Sequence, residues 1–323
     1  GKGQTSLAKY LAKRLPAKDA EWVSLWRQAH RNPSDTLGNP RLDRDTNIAR
    51  EIILHAIRRI ARSDAASAHT RWESLKDDYS FTPEQRGVLE RYIALSAAQQ
   101  HRPGAHDLLG ALPDEQRDAH ARDWQLRAAV TEADWPALLA DIEALPDEER
   151  QRDEWRYWRA YALDKTNQRL KATNEYSWLA KERDYHGFLA ADYLGWPYEM
   201  GDTPTRYDPV ELENLAGRPA MLRARELFRA DMMTDARREW AHATRNMSND
   251  ELKLAAVLAR QWGWNDHAIL TVARAGEFSD LTLRFPLEHT ESVRRHAHNN
   301  NLEPGIVFAV IRQESAFNPE ARS

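Results

Sequence analysis

One glutamate in the sequence occupies a position suited to a catalytic acid. Glu314 follows Val307, Val310 and Ile311 at spacings of seven, four and three residues, which places it on the same helical face as these apolar side chains. It also lies in the last turn before Asn318-Pro319, a pair that ends a helix. Desolvation and the negative end of the helix dipole both favour the protonated form of a carboxyl group. A glutamic acid that stays protonated near neutral pH is the proton donor that cleavage of a glycosidic bond requires.

The spacing alone leaves two interpretations of Glu314 open, because a glutamate at the edge of a buried stripe is common without any catalytic role. Two other Glu-Ser pairs indicate ordinary surface positions. Glu73 lies in a polar stretch, and Glu291 lies in the first turn of its helix, where an acid suits the dipole. Only Glu314 ends an apolar helix, and the adjacent Ser315 could hydrogen-bond the carboxyl group or simply cap the turn.

The elements that must position Glu314 are helices. The chain of 323 residues has only 13 glycines, and runs rich in Val, Ile and Thr are nearly absent, whereas strong helix formers dominate. An apolar stripe runs from Ile48 to Ile60 at helical spacing, and Thr82-Pro83-Glu84 is a helix-start signal. Gly263 and Gly276 mark helix ends, and Pro304 begins the helix that carries Glu314. The sequence therefore predicts an all-α protein.

An internal repeat predicts that these helices stack in pairs. The segment Ala111–Glu115 recurs as Ala144–Glu148 at an offset of 33 residues, and Trp124 aligns with Trp158 at an offset of 34. Such a period is typical of helix-pair repeats, which bury their apolar faces by stacking into a superhelix. We expect a right-handed α-superhelix in which large aromatic side chains fill the grooves between helices. The tryptophans concerned are Trp124, Trp135, Trp155, Trp158 and Trp178.

Composition excludes several other classes of protein. Without cysteine there is no disulfide, no thiolate zinc site, no iron–sulfur cluster and no cysteine nucleophile. A net charge of −4 argues against a nucleic-acid partner, and a mean hydropathy of −0.77 without a long apolar run predicts no transmembrane segment. The start at Gly1-Lys2-Gly3 shows neither a signal peptide nor the spacing of a phosphate-binding loop. The histidine pairs His296/His298 and His101/His106 lack carboxylate partners at ligand spacing, so we expect no metal and no cofactor.

Turn signals predict three domains. Gly201-Asp202-Thr203-Pro204 and Asp208-Pro209 place a boundary near residue 205, and Phe285-Pro286 opens a third helical block. We therefore predict a helix-repeat domain over 1–205, a helical linker domain over 206–284, and the beginning of a further domain over 285–323.

The third block resembles the opening of the catalytic domain of the soluble lytic murein transglycosylase family, which has a lysozyme-like fold. The resemblance rests on Phe285-Pro286-Leu287 and on the run Val307-Phe308-Ala309-Val310-Ile311-Arg312-Gln313-Glu314-Ser315-Ala316-Phe317-Asn318-Pro319-Glu320-Ala321-Arg322-Ser323. Residues 186–197 are similar to the last helical repeat of the family's superhelical domain, and residues 209–284 to its linker domain. The resemblance thus covers essentially the whole chain.

The resemblance implies an enzyme of the periplasm that needs no cofactor and whose partner is the glycan strand of peptidoglycan. Glu314 matches the family's single acid/base, and Ser315 matches the serine beside it. The family cleaves the β-1,4 bond between N-acetylmuramic acid and N-acetylglucosamine and forms a 1,6-anhydro product. No second carboxylate is required, because the N-acetyl group of the substrate can assist.

Two departures from the family pattern concern completeness. The Gly-Leu-Met-Gln and Ala-Tyr-Asn-Ala-Gly stretches that line the sugar groove in the family do not occur in these 323 residues. The family's superhelical domain also begins earlier than Gly1. We therefore expect a partial chain that is inactive by itself. The alternative to an enzyme is a non-catalytic helical-repeat adaptor that binds the cell wall or a protein, with Glu314 in a structural role.

Overall fold

The structure, a computed structural model, describes Tyr10 and residues 12–321. The expectations about Gly1-Lys2-Gly3 and about the last two residues of the family-like run, Arg322 and Ser323, lie outside these described residues. The chain divides into two compact units, Gly1–Glu199 and Met200–Ser323. Regular structure in the described part is entirely helical, which confirms the predicted all-α class.

The first unit consists of consecutive helices joined by short turns. They are α1 Ala17–Arg31, α2 Pro33–Thr36, α3 Asn47–Ala61, α4 Ala65–Leu75, α5 Pro83–Gln99, α6 Ala105–Gly110, α7 Ala119–Glu132, α8 Trp135–Glu143, α9 Asp147–Arg150, α10 Asp153–Lys165, α11 Arg169–Leu179 and α12 Tyr185–Leu194. Two 3₁₀ turns, Pro40–Leu42 and Asp114–Gln116, lie between them.

Local signals explain where the helices of the first unit begin and what they bury. Thr82 caps α5 through a capping box, in which its hydroxyl accepts from the Gln85 N–H and the Gln85 side chain accepts from the Thr82 N–H. The stripe predicted from Ile48 to Ile60 forms the buried face of α3 from Ile52 onward, with Ile52, Ile57 and Ile60 in the core, whereas Ile48 is exposed. Periodicity and capping thus set both the limits and the orientation of these helices.

The repeat is visible in the packing of the first unit. Helices contact the next helix and the one after it, as α7 does with α8 and α10 does with α8 and α11. Leu112 and Leu145 occupy equivalent buried positions, and each is followed by a proline that precedes a short helical turn. Successive core clusters follow one another along the chain, as expected for stacked helix pairs.

The tryptophans of the repeat region behave as predicted with one exception. Trp155 is fully buried, and Trp124, Trp135 and Trp158 pack partly buried against the core clusters. Trp178 is 63% exposed, and the Lys181 ammonium lies 4.7 Å from the centroid of its ring. The predicted packing role of Trp178 is wrong, because this residue faces away from the buried face of α11 formed by Ala172, Tyr176 and Leu179.

The second unit contains a helical core and two further helices. Its helices are α13 Pro209–Ala216, α14 Pro219–Arg229, α15 Met233–Ala243, α16 Asn249–Gln261, α17 Asn265–Arg274, α18 Leu281–Arg284, α19 Thr290–Asn299 and α20 Pro304–Ser315. Helices α14 and α15 pack against each other, as do α16 and α17, and α19 and α20. Gly263 and Gly276 have φ values of +81° and +71°, so each ends its helix in the left-handed region, as the sequence predicts. The boundaries near 205 and 285 remain predictions.

Candidate active site

Helix α20 is set by its own sequence at both ends. Pro304 is the first helical residue after Glu303, and Asn301 turns the chain before it with a φ of +53°. The helix ends at Ser315, where the N–H of Ala316 donates to the Arg312 carbonyl at 3.1 Å. Glu314 therefore lies in the last turn, as predicted.

The carboxylate of Glu314 is exposed in this structure. The apolar face that the spacing identified is also open, with Ile306 and Val310 56% and 55% exposed. The desolvation expected at Glu314 is therefore not supplied by the described residues. The spacing identified which side chains share a face of α20, but it carried no information about what covers that face.

Ser315 bonds to its own helix and not to the carboxylate. Its hydroxyl donates to the Ile311 carbonyl at 2.9 Å, the bond from residue i to residue i−4 that serine commonly makes within a helix. The described contacts thus include no bond from Ser315 to the Glu314 carboxyl group, and a supporting role of Ser315 at the site stays a prediction.

The turn after Glu314 uses two successive residues in the left-handed region. Ala316 and Phe317 have φ values of +50° and +63°. The N–H of Asn318 then donates to the Ser315 carbonyl at 2.9 Å. The ring centroid of Phe317 lies 6.3 Å from that of Phe308, a residue of α20. These contacts fold the chain sharply back along the end of the helix.

One fixed point on the helix is Arg312, two residues before Glu314. Its Nε donates to the Arg284 carbonyl at 2.8 Å, and its guanidinium lies 5.8 Å from the ring centroid of Phe285. Partial burial lowers the pKa of Arg312 from its usual value. The contact connects the last turns of α20 to the segment that enters the block at Phe285.

That entering segment is itself held by helix α16. Arg260 donates to Glu288 Oε1 at 2.8 Å and to Asn265 Oδ1 at 2.8 Å. The hydrogen bond from Arg260 lowers the pKa of the Glu288 carboxyl below its usual value. The ion pair therefore favours the charged carboxylate and fixes the chain just before α19.

A third contact holds the turn after Glu314, and the sequence analysis did not predict it. Arg237 of α15 donates through Nη2 to Asn318 Oδ1 at 3.3 Å, and the same nitrogen lies 3.4 Å from Glu320 and 3.9 Å from Asp266. Asp266 is buried, so its carboxylate needs a positive partner. The Arg237-Arg238 pair is visible in the sequence, but no local pattern connects it with a residue 81 positions away.

The histidines that the sequence analysis considered as metal ligands have neighbours that do not form a metal site. His106 contacts Asp141 at 2.7 Å, a pair that joins α6 to α8. His296 and His298 lie in the last turn of α19, where the His296 carbonyl accepts from Asn300. Across residues 12–321, no group of three or more histidine and carboxylate side chains has the arrangement of a metal site.

Comparison with known proteins places this geometry in a family. The family model described as the soluble lytic murein transglycosylase L domain matches residues 214–281, inside the segment predicted to be a linker. The soluble lytic murein transglycosylase of Escherichia coli (strain K12) is 27% identical over 330 residues, which cover 99% of this chain and 50% of that protein. A putative soluble lytic murein transglycosylase of Haemophilus influenzae is 28% identical over 58% of the chain and 30% of that protein.

Solved structures give the same result. The lytic transglycosylase Slt from Pseudomonas aeruginosa, solved as an inactive mutant with glutamine in place of one glutamate, matches with a TM-score of 0.79 at 32% identity, over 98% of this chain and 52% of that one. The 70-kDa soluble lytic transglycosylase of Escherichia coli matches with a TM-score of 0.69 at 25% identity, over 99% and 52% of the two chains. The family model, the curated relatives and the solved structures all support the soluble lytic murein transglycosylase family, and the chain spans about half the length of these relatives.

Proposed function

We propose that the protein to which this chain belongs is a peptidoglycan lytic transglycosylase and that Glu314 is its acid/base. The observation that carries the proposal is Glu314 itself, in the run Gln313-Glu314-Ser315, on a turn held by contacts on both sides. The inactive glutamate-to-glutamine mutant of the Pseudomonas aeruginosa relative supports a mechanism that depends on one glutamate.

The proposed reaction uses the carboxyl group twice. The protonated Glu314 donates its proton to the oxygen of the β-1,4 bond between N-acetylmuramic acid and N-acetylglucosamine, and the bond from that oxygen to C1 of the muramic acid breaks. The carboxylate then removes the proton of the C6 hydroxyl group of the muramic acid while the oxygen of that hydroxyl group attacks C1. The 1,6-anhydro ring closes without consumption of water, and Glu314 returns to its protonated form.

The proposed reaction requires that the open face of α20 be covered in the working enzyme. We propose that further parts of a lysozyme-like domain pack on Ile306 and Val310 and exclude water from the carboxyl group. The glycan strand is the proposed partner of the assembled groove, and the periplasm, where peptidoglycan lies, is the proposed location. Among the described residues, none of the helices combines the length and the apolar character needed to cross a bilayer.

The test is digestion of peptidoglycan by the full-length protein and by its Glu314→Gln variant. We expect the wild type to release fragments that end in 1,6-anhydro-muramic acid, identified by mass spectrometry, and the variant to lose at least a thousandfold of that rate, since the one acid/base is removed. Glu291→Gln is the matched control, because Glu291 is likewise exposed and precedes a serine but lies in the first turn of a different helix, α19.

The digestion products distinguish a lytic transglycosylase from a hydrolase and from a non-catalytic adaptor. Reducing ends without the anhydro ring would indicate a hydrolase. Equal digestion by the wild type and Glu314→Gln would refute the catalytic assignment and favour the non-catalytic helical-repeat adaptor.

A further inference from the structure

We infer that Arg237 is a positioning residue for Glu314 and that helix α15 carries part of the machinery of the proposed active site. The inference rests on the proposed function. It concerns a residue outside the predicted lysozyme-like block 285–323, on a helix that lies within the range matched by the linker-domain model.

The argument begins with what holds Arg237 in place. Its Nη2 lies 3.9 Å from Asp266 Oδ2, and the Asp266 side chain is only 9% exposed. Asp266 Oδ1 accepts the N–H of His267 at 2.9 Å, and the His267 ring stacks on Trp264 at 3.9 Å between centroids. A buried carboxylate with a second, backbone partner fixes the guanidinium more firmly than an exposed ion pair would.

The second step concerns what Arg237 holds. The same Nη2 reaches Asn318 Oδ1 at 3.3 Å and Glu320 Oε2 at 3.4 Å. Asn318 Oδ1 also accepts the N–H of Glu320 at 3.0 Å, so the side chain of Asn318 links Arg237 to the backbone of the turn. Asn318 in turn donates its N–H to the Ser315 carbonyl, one residue after Glu314.

The third step concerns the need for such a contact. Ala316 and Phe317 both have positive φ values, a conformation that costs non-glycine residues about 1 kcal/mol or more each. Without an external contact, this steric cost would favour other conformations of the turn and would loosen the last turn of α20. Arg237 on one side and Arg312 on the other therefore hold the stretch of backbone that carries Glu314.

The experiment measures kcat and KM of the full-length protein on soluble peptidoglycan fragments. We expect Arg237→Ala to lower kcat about tenfold or more while KM stays within twofold, because a displacement of about 1 Å of a catalytic group can cost as much as a hundredfold in rate. Arg238→Ala is the matched control, since Arg238 lies next in the sequence, is 77% exposed and pairs only with Asp235 in its own helix among the pairs described.

Asn318→Ala and the double variant test the connection itself. If Arg237 acts through Asn318, the double variant loses no more activity than the more damaging single variant. Additive losses, or equal kcat in Arg237→Ala and Arg238→Ala, would overturn the inference. Arg237→Lys keeps a charge for Asp266 but loses the planar fork, so it is expected to fold and to show an intermediate kcat.

Amide exchange, together with the activity of Glu314→Gln, keeps the outcomes distinct. Amide exchange in the chain itself should become faster at Asn318 and Glu320 in Arg237→Ala, with the exchange of α16 unchanged. Unchanged exchange at both positions would also overturn the inference. If Glu314→Gln remains active, the proposed function fails. If Glu314→Gln is inactive but Arg237→Ala behaves as Arg238→Ala does, only the positioning role fails.

Discussion

Gly187, near the start of α12, has no room for a side chain. A Cβ atom built on it would lie 2.1 Å from the Glu182 carbonyl oxygen and 2.8 Å from that of Leu179. Both neighbours are backbone atoms, so the strain could be relieved only by moving α12 away from the end of α11. The glycine thus permits the close packing of two helices and is not needed for an unusual backbone angle.

We predict that Gly187→Ala destabilises the chain by about 1–3 kcal/mol, the cost of overpacking a site that cannot relax cheaply. Denaturant unfolding followed by circular dichroism measures the change. Gly305→Ala is the control, because Gly305 lies in α20 with nothing within 4 Å of the added atom. That change should stabilise by up to about 1 kcal/mol through helix propensity. A Gly187→Ala variant as stable as the wild type would contradict the close approach.

Where helices of the first unit meet, one contact joins a histidine to a carboxylate. His106 of α6 lies 2.7 Å from Asp141 of α8, and Asp141 also accepts from the buried Gln125 of α7 at 3.0 Å. Burial acts to lower the pKa of His106, but the hydrogen bond and charge of Asp141, with those of Asp107, outweigh it and raise the pKa above its usual value. The charged form of His106 therefore stabilises the junction of three helices.

The sign of the pH dependence follows from this raised pKa. The contribution of His106 to stability is complete below the pKa of the unfolded chain, about 6.5, and is lost as the pH rises through the higher pKa of the folded chain. We predict that Asp141→Asn destabilises by about 2 kcal/mol at pH 5.5 and by clearly less at pH 8.5. Urea unfolding at both pH values tests this.

Asp107→Asn supplies the control for the pH experiment. Asp107 is 91% exposed and lies 3.4 Å from the other ring nitrogen of His106, so solvent screens the interaction. Its replacement should change stability little at either pH. A loss from Asp141→Asn that is equal at pH 5.5 and pH 8.5 would show that the charge of His106 plays no part.

At the scale of the whole molecule, the setting of Glu314 in the described part of the second unit decides what this chain can do. The carboxylate is exposed, the apolar face of α20 is open, and the stretches that line the sugar groove in the family do not occur among the 323 residues. We predict that a purified polypeptide of these residues alone, with its ends verified by mass, releases no anhydro-muropeptides from peptidoglycan. Release of such products by this polypeptide would refute the prediction.

Much of the helical framework could be predicted from the sequence because its determinants are local. The capping box at Thr82, the proline at 304 and the glycines at 263 and 276 act within one turn of the helix they limit. The repeat was visible because equivalent residues in consecutive helix pairs meet the same packing demands, as Leu112 and Leu145 do.

Other features depend on residues far apart in the chain and left no local signal. The sequence identified Glu314 but not the contact of Arg237 with Asn318, because periodicity relates only residues of the same helix. It predicted a buried stripe on α20 and a packing role for Trp178, and both side-chain environments differ from the prediction. Which side of a helix is covered depends on neighbouring elements, and their placement is a property of the whole fold.

The two left-handed residues after α20 have a consequence for evolution and for engineering. Selection for heat resistance alone would favour glycine at positions 316 and 317, since glycine adopts a positive φ without steric cost. The same replacement at 317 would remove the ring that packs near Phe308, and either replacement would allow the turn more conformations. Glycine at 316, which leaves the ring of Phe317 in place, is thus the replacement that such a selection would favour, and the proposed reaction is expected to slow as the turn gains freedom.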